Sequence, residues 1–126
     1  MVESVENLVN IALMDRNNLE LIAVLAVLAS KIRSARGNMV TISHRNVRYV
    51  LSRIVEKRRL TSYGRVIHVL HELADAGLIR VYRKNARGII YCVNRGDLLW
   101  DLLEKYSLTE AVRAVCRIIG TCRGSS

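Results

Sequence analysis

Apolar positions recur along the chain at two periods, and the period identifies each element. Val5, Leu8, Val9, Ala12 and Leu13 share one face of a short helix over about residues 3–14. Leu21, Leu25, Leu28 and Ile32 form one stripe of a second helix, and Val24 with Val27 form another. Asn17 or Asn18 is placed to cap that helix and Gly37 to end it. A helix apolar on two sides is either buried centrally or shared with a partner chain. Residues 39–42 are short and lean towards strand, and Ser43 is a cap for the next helix. Val47, Val50, Leu51, Ile54 and Val55 mark the inner face of that third helix, with Arg45, Arg48 and Arg53 largely off it. Thr61 or Ser62 opens a fourth, whose inner positions are Val66, Leu70, Leu73 and Ala74, and Gly77 stands where a left-handed C-cap is wanted.

After Leu78 the period shortens to two. Ile79 and Val81 alternate with Arg80 and Tyr82, and residues 89–93 are β-branched and aromatic. Between them residues 84–88 are polar and end in Gly88, so the two runs predict a β-hairpin. Asp97 is placed to cap a helix through Leu103. Ser107 and Glu110 stand at the spacing of a capping box for a last helix carrying Ala111, Val112, Val115, Ile118 and Ile119. The reading is mainly α with a small β-hairpin. It is one domain over residues 1–126, with a core at about 19–94 and flanking helices at about 3–14 and 97–120. A chain of 126 residues can bury such a core without staples, and 51% hydrophobic residues are enough to do it.

Charge adds what the pattern does not say. Residues 1–30 carry Arg16 against four acids, whereas residues 31–59 carry nine bases against Glu56 alone, a net of +8. Residues 60–95 add a further +4, and the last 31 residues balance at zero. The overall +9 therefore belongs to the middle of the chain, and a balance this basic points to an anionic partner, most often nucleic acid. Sixteen of the 20 bases are Arg, whose fork suits phosphates and guanine edges.

Other chemistry finds little support. The longest apolar run, residues 21–29, is about half of what a membrane span needs, and the acidic N-terminus does not resemble a secretory signal. Cys92, Cys116 and Cys122 form no CxxC pair, so neither a zinc site nor a disulfide framework is expected. Cys92 and Cys116 read as small buried hydrophobes. His68 and His71 are three apart on a helix, a spacing that can hold a metal, but no carboxylate or thiolate cluster accompanies them, so they read as one surface and one partly buried histidine. No nucleophile–base pair, phosphate-cradling glycine loop or pair of carboxylates stands out. The expectation is a protein that is not an enzyme, uses no cofactor or metal, and works in the cytoplasm beside the nucleoid.

The stretch from Ser62 to Ile79, with Leu70, Leu73, Gly77, Leu78 and Ile79 at its end, resembles the recognition helix of winged helix-turn-helix regulators. The basic hairpin after it is similar to their wing, and the resemblance covers about residues 19–94. The flanking helices are similar to those that MarR-like and PadR-like proteins use for dimerisation. The resemblance implies a homodimer that binds double-stranded DNA and regulates transcription, with residues 62–76 in the major groove and the wing, 80–92, on the adjacent backbone or minor groove. Ser62, Tyr63, Arg65 and His68 would then reach base edges, Arg65 foremost. Arg45 and Arg48 would meet phosphates, and Arg83, Lys84 and Arg87 would line the wing. Lys57, Arg58 and Arg59 read as a charged helix end or a phosphate clamp. Three other readings stand beside this one: an RNA- or ribosome-binding winged-helix protein, a non-specific DNA-packaging protein, and a winged-helix scaffold for protein contacts.

Overall fold

The computed structural model describes residues 19–54 and 63–120, with side chains described for 19–51 and 64–120. The expected helix over about 3–14, the bases at 57–59, and Val55, Thr61, Ser62 and Cys122 lie outside the described residues, as do the side chains of Arg53, Ile54 and Tyr63.

Helix α1, Leu19–Ser34, is followed by strand β1, Met39–Ile42, then by α2, His44–Ile54, and α3, Tyr63–Asp75. Strands β2, Arg80–Asn85, and β3, Gly88–Asn94, form the hairpin, and α4, Leu98–Lys105, and α5, Leu108–Ile119, complete the described chain. The result is helix-rich, with five helices and one three-stranded antiparallel sheet among the described residues. β3 is the middle strand, between β1 and β2. Pairing of Met39 with Asn94 and of Ile42 with Tyr91 ties the stretch before α2 to the return strand of the hairpin.

α1 is the axis of the core. Ten of its apolar side chains, from Leu21 to Ile32, are buried, and it touches α2, α3, α4, α5 and β1. Its two apolar faces are therefore both covered from within the chain, and the sequence argument for sharing this helix with a partner does not hold. Val47 and Leu51 of α2, Val66, Leu70 and Leu73 of α3, Leu99, Trp100 and Leu103 of α4, and Ala111, Val112 and Val115 of α5 join it in one cluster. Arg33 fastens α1 to the far end of α4 by donating to the carbonyls of Leu103 and Tyr106 at 3.1 and 2.9 Å. Lys31 donates to the Thr41 carbonyl and, at 3.3 Å, to Asn46 Oδ1. Burial between these elements lowers its ammonium below the ordinary 10.5.

Caps and turns follow local chemistry, with some departures from expectation. Ser43 precedes α2, and Asn46 returns its side-chain oxygen to the Ser43 N–H at 3.0 Å. Gly77 adopts φ +79° after α3, as a left-handed cap requires. The Ser107–Glu110 capping box is present in both directions. Asp97 precedes α4 but does not cap it with its side chain. Its carboxylate instead accepts from the Asn94 N–H at 2.9 Å and from Arg80 at 2.7 Å, closing the base of the hairpin. The hairpin turn is tighter than residues 84–88: Asn85 pairs with Gly88, leaving Ala86 and Arg87 at the tip, and Asn85 Oδ1 accepts from the Arg87 N–H at 2.8 Å. Inward alternation also fails in β2. Its register shifts between Val81 and Arg83, all six residues are exposed, and Val81 lies open instead of facing the core.

Cys92 is free and buried, as its apolar surroundings suggested. Cys116 is half-buried and disulfide-bonded. That corrects the expectation of a small unpaired hydrophobe, because spacing without a CxxC motif does not report which cysteines the fold brings together.

Candidate functional site

Two groups of bases in the described chain differ in their partners. One group is matched by acids. Arg80 meets Asp97 at 2.7 Å, Arg95 meets Glu104 at 3.8 Å, Lys105 meets Asp101 at 4.0 Å, and Arg65 meets Glu20 at 3.8 Å. Arg95 also lies over the Trp100 ring, 4.7 Å from its centroid, and donates to the Gly37 carbonyl at 2.9 Å. These cations hold α4, the base of the hairpin and the start of α3 in place.

The other group is uncompensated. Arg45 in the first turn of α2, and Arg83, Lys84 and Arg87 on the hairpin, are exposed and lie within 4 Å of no carboxylate among the described residues. Arg48, one turn along α2 from Arg45, is exposed as well. One contact places these two elements side by side. His44, buried at the start of α2, brings Nε2 to 3.3 Å from the Arg87 carbonyl. Gly88 makes that approach possible: its φ is +133°, and a Cβ there would stand 3.1 Å from His44 Nε2. The first turn of α2 and the hairpin tip thus form one basic surface, and the dipole at the helix start adds to its positive potential.

α3 borders this surface. Its inner face is Val66, Leu70 and Leu73, and its outward face is Gly64, His68, His71 and Asp75, all exposed and spaced by three or four residues. His68 is widely open and lies 3.4 Å from Glu72, one turn on. His71, read from sequence as one of a surface and a partly buried pair, is exposed too, and meets the Tyr91 ring edge-on with centroids 6.4 Å apart. Arg65 is one position round from the outward face. Its partner Glu20 keeps only 8% of its side-chain surface, so Arg65 has the task of compensating a buried carboxylate.

The structure thus brings together Arg45, Arg48, His68, Arg83, Lys84 and Arg87 from the sequence reading, and it sets Arg65 against α1. Tyr63 begins α3, and Ser62 falls outside the described residues. Sequence reasoning did not single out His44 or Tyr91, and it gave His71 and Gly88 no part in joining α2, α3 and the hairpin, which is what these four residues do. A glycine at a hairpin tip and a histidine at a helix start were the available signals, but only the fold shows that they touch. Among the described residues, no group of three or more side chains converges to hold a metal, and no helix is long and apolar enough to cross a membrane. No family model, curated protein or solved structure matches this chain.

Proposed function

We propose that the chain is a winged helix-turn-helix protein that binds double-stranded DNA and regulates transcription. In this reading α3 enters the major groove, α2 crosses the backbone, and the β2–β3 hairpin is the wing on the neighbouring phosphates or minor groove. The observation that carries it is the uncompensated basic surface formed by Arg45, Arg83, Lys84 and Arg87 beside the open face of α3. Acids meet Arg65, Arg80, Arg95 and Lys105 elsewhere in the described chain, whereas these four bases meet none and stand on two adjoining elements, which suits a polyanion. His68 and His71 are the side chains of α3 best placed to meet base edges, and Arg65 supports the helix from its tie to Glu20.

Fluorescence anisotropy with duplexes selected from a random pool tests this reading. Affinity is expected to fall steeply with salt, and Lys84→Ala or Arg45→Ala should weaken all duplexes alike while lowering the salt slope by about one each. His68→Ala should weaken the selected duplex more than a scrambled one. Binding that ignores sequence would favour a packaging role, and salt-independent or absent binding would overturn the reading.

A homodimer through the terminal helices belongs to the same proposal. It is supported by Leu98, Tyr106 and Ile118, large apolar side chains left exposed on and between α4 and α5. Light scattering on dilute protein is expected to give twice the chain mass, and a selected duplex to carry two half-sites about a helical turn apart. One observation favours RNA as a second reading. Tyr49 on α2 and Tyr82 on the hairpin, with Arg83 5.8 Å from the Tyr82 ring, are exposed aromatics among bases, an arrangement suited to stacking on unpaired nucleobases. Competition between duplex DNA and structured RNA separates the two. Function beside the nucleoid in the cytoplasm follows from the DNA reading and stands with it.

A further inference from the structure

In the DNA reading α3 faces a polyanion, yet its own surface is not basic. Its single Lys or Arg is Arg65, which lies 3.8 Å from Glu20 and off the outward face. That face is instead Gly64, His68, His71 and Asp75, all exposed, with Glu72 half-buried beside His68. With neutral imidazoles it carries two carboxylates and no cation, a field that repels phosphates. With both imidazoles protonated the charges cancel. We infer that duplex binding by α3 is coupled to proton uptake by His68 and His71, so that the protein holds DNA more tightly as pH falls below neutral. The inference rests on the DNA reading and adds its regulation.

The placement of each ring supports this. His68 is 72% exposed, and its Nε2 lies 3.4 Å from Glu72 Oε1. A proton gained there offsets Glu72 through one ring nitrogen and leaves the other N–H to donate outward. His71 meets the Tyr91 ring edge-on, and Asp75, one turn along from His71, is near enough to Tyr91 to raise that phenol's pKa. Both imidazoles thus stand in a negative field of their own helix. The neighbouring elements supply different groups. From α2, His44 shares the cleft with His71, but it is buried and donates to the Arg87 carbonyl, while Arg45, Arg48 and Tyr49 stand exposed on the same helix. From α1, Glu20 is occupied by Arg65, and the hairpin contributes Tyr91 and, at its tip, the exposed Arg87. Histidine is the side chain whose charge changes between about pH 5 and 8, and Asp, Glu and Arg keep theirs across most of that range. The whole chain has three histidines, so few groups can produce such a response.

Fluorescence anisotropy of the pool-selected duplex at constant ionic strength tests this, with circular dichroism to confirm the fold at each pH. Affinity is expected to rise about tenfold from about pH 7.5 to about pH 5.5. Gln hydrogen-bonds as a neutral imidazole does but gains no proton, so the double variant His68→Gln/His71→Gln should give a flat profile. Each single variant should remove part of the rise, and the two singles decide if the double variant fails to fold. Titration calorimetry in two buffers of different ionisation enthalpy should show net proton uptake on binding near neutral pH, and none in the double variant. A flat profile in the unaltered chain, or a rise that survives in the double variant and so belongs to His44 or another group, would overturn the inference and leave the DNA reading standing. No duplex binding at any pH would overturn the DNA reading and the inference with it.

Discussion

α1 and the hairpin are opposites in the same small fold. α1 has eleven buried residues of sixteen and meets four helices and a strand, whereas β2 has six residues and every one is exposed. Composition already leans the two apart, since α1 is mostly aliphatic whereas β2 is half basic with Val81 as its one aliphatic residue. Coverage completes the contrast. The interior of the chain closes around α1 on both apolar faces, and nothing in the described chain closes over β2, whose Arg83 and Lys84 consequently keep their hydration and their charge. One region is enclosed by the rest of the chain and the other is left open by it.

The strongest way to break this contrast is to perturb both ends of it with the same kind of truncation. Leu25→Ala, at a fully buried position of α1, is expected to cost about 2–5 kcal/mol in chemical denaturation, through lost transfer energy and a cavity. Arg83→Ala on the hairpin should change stability by no more than about 0.5 kcal/mol while weakening polyanion binding. Comparable losses at both sites would mean that the hairpin is part of the core after all.

A finer test lies where the two kinds of region meet, at the Glu20–Arg65 pair. Removing either partner breaks the same contact, but the consequences differ because Glu20 is buried and Arg65 is half exposed. Arg65→Ala strands a carboxylate in the interior and should cost about 1–3 kcal/mol. Glu20→Gln leaves a guanidinium that water can solvate, and should cost less than about 1 kcal/mol. Equal costs would show that the pair behaves as an ordinary surface ion pair and that Arg65 is available to a ligand.

The smallest expected effect is in pH dependence. Lys31 has a lowered pKa in the folded chain, so just below 10.5 the unfolded chain holds a proton that the folded chain has released, and stability climbs as pH rises through that window. Tyr91 works in the opposite sense. Its raised pKa leaves stability intact below 10.0 and erodes it as pH rises from there through the folded value. Urea denaturation on either side of pH 10 should therefore lose the climb in Lys31→Met and the decline in Tyr91→Phe.

Much of this fold was legible in the residues because local chemistry determined it. The spacing of Val66, Leu70 and Leu73, the left-handed Gly77 and the Ser107–Glu110 box each name an element and its end, and each appears as read. The failures come from features that residue spacing does not encode: tertiary partners and a strand irregularity. Asp97 has the right position for a cap but finds Arg80 and the Asn94 N–H instead. Val81 has the right parity to face inward, but the irregularity before Arg83 turns the strand. Of the two readings open for the apolar stripes of α1, central burial holds, because α2 to α5 and β1 pack around it. For the candidate site, the sequence showed which segment was basic, but not which bases were already spent on acids. That depends on Glu20, Asp97, Asp101 and Glu104 arriving from other elements.

The open strand β2 also bears on how this protein behaves in a crowded solution. Its outer edge offers unpaired backbone groups to any passing strand, and Val81 and Tyr82 would reward such a docking. Arg83 and Lys84 along that edge, with the irregularity between Val81 and Arg83, oppose it by repulsion and by a broken hydrogen-bond register. The same cations thus act as gatekeepers against edge-to-edge aggregation, and a charge-neutralised hairpin should be judged by its solubility as well as by its affinity.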